Sequence, residues 1–172
     1  MSTREKHIIE EKIPLSASII VVSDSLFAIG GLKWREKDKS AKKAEEILKR
    51  NGVAIKSISV VADEINQIKN KISSGIESEV SLLLTIGGTG ISPRDVTIEA
   101  VTPLLEKELL GYGELFRTKT YGEVGTISIM TRTLAGVTKK TCIVCLPGST
   151  NAVELGVNLI LKELLHIINL RI

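Results

Sequence analysis

The chain has 172 residues, enough for one domain with a single sizeable core, and its 43% hydrophobic content with only 3% aromatic residues predicts an aliphatic interior. Its 23 basic and 20 acidic residues are interspersed and leave a formal net charge of +3, which gives no strongly basic face for nucleic acid. No apolar run reaches the length of a membrane span and residues 1–12 are charged rather than signal-like, so no membrane association and a cytoplasmic location are expected.

Residues 1–13 read as an N-terminal tail and residues 14–172 as one domain. Residues 16–22 form a first strand that ends in Val22-Ser23-Asp24-Ser25. A helix follows over residues 39–50, with Ala41, Ala44, Ile47 and Leu48 on one face and a stop at Asn51-Gly52. Residues 54–61 alternate as a second strand, and Asp63-Glu64 leads into a helix over 64–72 with Ile65, Ile68 and Ile72 at helical spacing. Residues 80–86 are a third, buried strand, so the first half reads βαβαβ, an open α/β sheet.

Beyond a glycine-bearing turn, residues 96–105 are helical until Pro103 bends or ends them, and 113–123 form a weaker helix. Residues 126–134 fit a short helix or a strand equally. A strand over 141–146 precedes Pro147-Gly148-Ser149 and a final helix over 151–166, with Val153, Val157, Ile160, Leu161, Leu164 and Leu165 inward. Cys142 and Cys145 have CxxC spacing, but three positions apart on a strand they face opposite ways, which argues against a shared metal or a redox pair. His7 reads as a tail residue and His166 as a helix-end residue.

The chemistry concentrates in Thr85-Ile86-Gly87-Gly88-Thr89-Gly90-Ile91-Ser92-Pro93-Arg94-Asp95, which follows a buried strand and opens a helix. Glycines there let backbone N–H groups approach an oxyanion, and the helix start adds partial positive charge. The segment lacks the Lys-Ser/Thr ending of a Walker loop and the third glycine of a dinucleotide fingerprint. By itself it is equally a tight, solvated turn. A second loop, Leu146-Pro147-Gly148-Ser149-Thr150-Asn151, occupies the same architectural position, at the carboxyl edge where ligand crevices form.

Ser23 and Ser25 after the first strand are either turn residues or donors to a phosphate or hydroxyl. Asp63 and Asp95 are each ordinary helix N-caps when taken singly. Beside a phosphate-cradling loop, the two carboxylates also offer the oxygen ligands that Mg²⁺ prefers.

These motifs in this order resemble the MoaB/Mog family of molybdenum-cofactor biosynthesis proteins. The resemblance rests on residues 85–99 (TIGGTGISPRDVTIE), 111–117 (GYGELFR), 132–137 (RTLAGV) and 146–149 (LPGS), with Val22-Ser23-Asp24 and Asp63-Glu64. It implies a three-layer α/β/α sandwich with a mostly parallel central sheet, a homo-oligomer that is commonly a trimer, and a molybdopterin site. It also implies adenylylation, in which the terminal phosphate of molybdopterin attacks the α-phosphate of ATP with Mg²⁺ as helper, and later transfer of the product to a molybdenum-insertion protein.

Carried over residue by residue, Asp63 and Asp95 are the catalytic carboxylates and transient Mg²⁺ ligands. Gly87, Gly88, Thr89 and Gly90 wrap phosphate or nucleotide, and Pro147, Gly148 and Ser149 form the opposite loop. Ser23 and Asp24 lie on the nucleotide side, while Arg94 and Thr97 contact phosphate or, for Arg94, pair with a neighbouring carboxylate. Two positions depart from the family pattern: Ile98 stands where proline is frequent, and Ala41 replaces the glycine of an Asp-x-Ser-Gly stretch at Asp38-Lys39-Ser40. The alternatives to an adenylyltransferase are a non-catalytic molybdopterin-binding or carrier protein using the same pocket and, further off, an unrelated nucleotide-binding domain.

Overall fold

A computed structural model describes residues 13–171, so His7 and the expected tail up to position 12 lie outside the described residues. Six strands, β1 (Ser16–Val22), β2 (Ala54–Val61), β3 (Leu82–Ile86), β4 (Lys107–Glu108), β5 (Leu134–Thr138) and β6 (Thr141–Leu146), form one sheet in the order β2-β1-β3-β6-β5-β4. The β2-β1-β3-β6 part is parallel, and β5 and β4 extend it antiparallel.

Period-two alternation sorts the strand residues between two cores. Ala17, Ile19, Val21, Leu82, Leu84, Cys142, Val144 and Leu146 face one layer, which is closed by α3 (Lys39–Arg50), α6 (Leu110–Val124), α7 (Thr150–Leu161) and α8 (Leu164–Asn169). Ile20, Val22, Leu83, Ile143 and Cys145 face the other layer, under α4 (Ile65–Glu77) and α5 (Thr97–Val101). This is the expected three-layer α/β arrangement, with Cys142 and Cys145 on opposite faces as their spacing requires. Burial pushes both thiols up to about 12, so neither is a thiolate at neutral pH.

Local chemistry fixes the helix ends. Asp38 caps α3 by accepting from the Ser40 and Ala41 N–H groups at 2.8 and 3.1 Å, and the helix ends at Asn51 before Gly52, whose φ is +75°. Two short helices, α1 (Asp24–Phe27) and α2 (Trp34–Lys37), precede it, and Trp34 is buried although charged residues flank it. No helix among the described residues is long and apolar enough to cross a membrane.

The expected boundaries shift where tertiary packing overrides local pattern. The second long helix, α4, continues past Ile72 to Glu77, because Gly75 is a contact point rather than a stop: a Cβ there would lie 2.4 Å from Leu83 Cδ2. The helix expected over 96–105 is the five-residue α5 followed by a 3-10 turn at Thr102–Leu104, where Pro103 enters. The undecided segment 126–134 is a 3-10 turn, Gly125–Met130, leading to β5 at Leu134. The single C-terminal helix expected to 166 is two: a break at Lys162-Glu163 turns Leu164 and Ile168 inward and leaves Leu165 exposed, against expectation.

Gly156 shows how tightly α7 lies on the sheet. A Cβ on it would be 2.2 Å from Leu146 Cδ2 and 2.7 Å from the Tyr112 hydroxyl, which donates to the Gly156 carbonyl at 3.0 Å. Gly156→Ala is therefore expected to destabilise the fold by about 1–3 kcal/mol, the cost of overpacking a filled core, in an equilibrium urea titration. An unchanged midpoint would show that α7 slides freely on β6.

Candidate active site

Four parallel strands end at the same edge of the sheet, so the turns that follow them converge there. The loop after β3 is stapled from several sides. Gly87 N–H donates to Leu146 O at 2.9 Å, while the Thr97 hydroxyl and N–H donate to the carbonyls of Gly87 and Gly88, both at 2.9 Å. Gly87 (φ +105°) and Gly88 (φ +62°) take conformations that L side chains rarely adopt. A Cβ on Gly87 would also strike Val22 O at 2.3 Å.

The stapling leaves donors over. No backbone carbonyl among the described residues accepts from the N–H of Gly88, Thr89 or Gly90. These residues line an open cavity of about 460 Å³ with Gly87, Asp95, Pro147 and Gly148, bordered also by Val124, Ile127, Met130 and Thr131. Consecutive unengaged amides at a glycine turn make a concave anion seat. The Gly148 carbonyl on the facing loop is fixed by the Ser40 hydroxyl, 2.6 Å away.

Both site carboxylates press on this loop. A Cβ on Gly88 would lie 2.7 Å from Asp63 Oδ1, and one on Gly90 would lie 2.6 Å from Asp95 Oδ2. Asp63 is held by a reciprocal pair: its Oδ2 accepts from the Asp24 N–H at 3.1 Å and its own N–H donates to Asp24 Oδ1 at 3.0 Å. Asp95 Oδ2 accepts from the Ser92 N–H at 2.9 Å. Burial first, and the charge of Asp95 second, hold the Asp63 carboxyl above its ordinary range.

Two carboxylates that repel each other beside free amides are a fitting environment for a hard cation shared with phosphate. No cluster of three or more potential metal ligands occurs among the described residues, so Mg²⁺ held by Asp63 and Asp95 would take its remaining ligands from water and phosphate.

The other expected residues take distinct places. Ser23 caps α1, accepting from Leu26 N–H at 3.4 Å, with its hydroxyl 3.1 Å from that of Ser25. Arg94 pairs with the Asp24 carboxylate, which links the glycine loop to the turn after β1. Thr97 is fully buried beneath the loop as its staple. Ser149 caps α7 by accepting from Ala152 N–H at 3.2 Å. Of the expected residues, Gly87, Gly88, Thr89, Gly90, Asp95, Pro147 and Gly148 line the cavity itself, and Asp63 abuts it through Gly88.

Two features escaped the sequence reading. Arg132 donates to the carbonyls of Thr89 and Asp95 and pairs with Glu99, whose carboxyl it holds below its ordinary range. The apolar wall of Val124, Ile127 and Met130 comes from the end of α6 and the 3-10 turn after it. Arg132 opens the Arg132-Thr133-Leu134-Ala135-Gly136-Val137 motif, which is its one sequence signal; the wall has none.

The chain is similar to known proteins over most of its length. Residues 18–166 match the family described as "Probable molybdopterin binding domain". The molybdenum cofactor biosynthesis protein B of Staphylococcus carnosus is 38% identical over 97% of this chain and 97% of its own length. A crystal structure of a molybdenum cofactor biosynthesis protein B superposes with a TM-score of 0.83 at 38% identity, covering 93% of this chain and 97% of that one. The tungsten cofactor synthesizing protein MoaB of Pyrococcus furiosus superposes with a TM-score of 0.82 at 34% identity, covering 94% and 99%. With its fold, its converging turns and these full-length matches, the chain belongs to the MoaB/Mog family of molybdenum-cofactor biosynthesis proteins.

Proposed function

We propose that this protein transfers the adenylyl group of ATP to the terminal phosphate of molybdopterin, giving adenylylated molybdopterin and pyrophosphate. The observation that carries the reading is the placing of the Gly88, Thr89 and Gly90 amides, which no backbone carbonyl among the described residues engages, in one cavity with Asp95, while Asp63 lies against the same loop at Gly88. In the reaction an oxygen of the molybdopterin phosphate bonds to the α-phosphorus of ATP. The bond from that phosphorus to the bridging oxygen breaks, and its electron pair leaves with pyrophosphate.

Two anions must meet in line, so the protein's task is to position them and offset their charge. The glycine-loop amides supply fixed donors for the phosphate oxygens. The Gly148 turn faces them across the cavity. Asp63 and Asp95 would hold Mg²⁺, which would neutralise phosphate charge. The Val124, Ile127 and Met130 wall suits an uncharged ring carried beside the phosphate.

A homotrimer belongs to the same proposal. Its support is the exposure of several large apolar side chains, Leu110, Leu115, Tyr121 and Ile129, along α6 and the following turn. ATP as co-substrate fits a cytoplasmic reaction, and a metal-insertion protein would consume the adenylylated product.

Incubation with molybdopterin, ATP and Mg²⁺ is expected to release pyrophosphate in step with product, and Asp95→Ala to lower that rate by on the order of 10³-fold or more. Molybdopterin bound by equilibrium dialysis without pyrophosphate release would instead identify a carrier.

A further inference from the structure

We infer that Arg132 is a positioning residue: it pins both ends of the 89–95 turn and thereby aims the Gly90 amide into the cavity. Its Nε donates to Thr89 O at 3.2 Å and its Nη2 to Asp95 O at 3.0 Å. The same guanidinium forms a two-point pair with Glu99, from Nη1 to Oε1 and from Nη2 to Oε2 at 3.3 Å. One rigid fork therefore spans the turn that carries Asp95, and Glu99 keeps the fork in its plane. Thr133 secures the base of this side chain, its hydroxyl donating to Cys145 O at 2.6 Å within the core.

The need for such a clamp follows from the loop's composition. Carbonyl and N–H point in opposite directions across a trans peptide, so holding Thr89 C=O on Arg132 turns the Gly90 N–H away from Arg132. Glycine lies on both sides of Thr89, and glycine opposes a peptide flip only weakly. Without the guanidinium, nothing polar among the described residues accepts from or donates to the Thr89–Gly90 peptide. The Thr97 staple acts further back, on the Gly87 and Gly88 carbonyls, and leaves this peptide unconstrained. What the aimed amide meets depends on the proposed reaction; the clamp itself does not.

The molecule supplies its own control. Arg171 makes a similar contact at the opposite edge of the sheet, with Nε donating to Lys139 O at 2.7 Å and a guanidinium pair to Glu106. Removing Arg132 deletes an ion pair and two carbonyl contacts and removing Arg171 an ion pair and one, but only Arg132 touches the glycine loop.

The test compares full-length Arg132→Ala, Arg132→Lys and Arg171→Ala by amide ¹⁵N relaxation and by calorimetric titration with ATP and Mg²⁺. In Arg132→Ala the order parameter of the Gly90 amide is expected to fall from about 0.85 to below about 0.6, with ATP affinity down roughly tenfold. Arg132→Lys, whose point charge cannot span both carbonyls, should fall between, and it carries the test if Arg132→Ala does not fold. Arg171→Ala should lose thermal stability while leaving both readouts within about twofold of wild type.

An Arg132 variant with a rigid Gly90 amide and wild-type ATP affinity would overturn the inference. So would an equal loss of ATP affinity in Arg171→Ala. If the wild-type protein takes up neither ATP nor molybdopterin, the adenylyl-transfer reading falls, and the Gly90 order parameter still decides the clamp.

Discussion

Asp63→Asn is expected to lower adenylyl transfer by on the order of 10³-fold while slightly raising the melting temperature. The two effects have one cause. Burial and the neighbouring Asp95 charge raise the Asp63 pKa above its unfolded value, so across the window between the two values the folded state binds the proton more tightly. Stability conferred by the protonated form is present below the unfolded pKa and is lost as pH rises through the folded one. At neutral pH the ionised Asp63 is a net cost that a cation removes. Asparagine keeps an oxygen for the Asp24 N–H and carries no charge, so the repulsion disappears together with the metal ligand.

Because the side chain is partly solvated, screening limits the gain to on the order of 1–2 °C. The wild-type rate should decline as pH falls through the raised Asp63 value, since protonation removes the charge that attracts Mg²⁺. Differential scanning calorimetry and pH-rate profiles of the two proteins check both parts. A melting temperature that drops in Asp63→Asn would mean that the carboxylate stabilises the empty site.

Gly87→Ala should destabilise the fold by about 2–5 kcal/mol, from a left-handed conformation costing about 1–2 kcal/mol and a steric clash costing about 1–3. The clash partner is backbone, Val22 O at 2.3 Å from the added Cβ, so relief requires β1 and the loop to part. Gly52 separates the two causes. Its φ of +75° is also positive, but a Cβ there meets nothing within 4 Å. Gly52→Ala should therefore cost only the conformational part, about 1–2 kcal/mol. Equal losses at the two sites in urea denaturation would remove the argument that close approach of β1 dictates glycine at position 87.

The parts of the fold legible from sequence were those where burial and period coincide. β1 and β6 have their expected bounds because continuous apolar runs lie in a sheet covered on both faces, β2 because its apolar residues alternate along the sheet edge, and α3 because it carries both a cap and a stop. β5 was indistinct because its five residues are a short run interrupted by Gly136, a residue that strands disfavour. Gly136 is dictated by a neighbour distant in sequence: a Cβ there would sit 2.8 Å from Lys107 O on β4. α6 has little amphipathic pattern because it turns Leu110, Leu115, Tyr121 and Val124 outward and buries only Tyr112, Gly113 and Phe116.

At the site, Asp63, Asp95 and the glycines were legible because each directly follows a recognisable strand or opens a helix. Their convergence needed the strand order, which places β3 between β1 and β6. Arg132 could not be assigned its role in the same way. Its partners Thr89, Asp95 and Glu99 are 43, 37 and 33 residues away, and no local rule connects them.

The central claim is tested most directly by ATP labelled at the α-phosphorus, incubated with the protein, molybdopterin and Mg²⁺. The account predicts that the label moves to the pterin product, one label for each pyrophosphate released. Label that stays in ATP while molybdopterin is bound, or that appears in ADP, would contradict it.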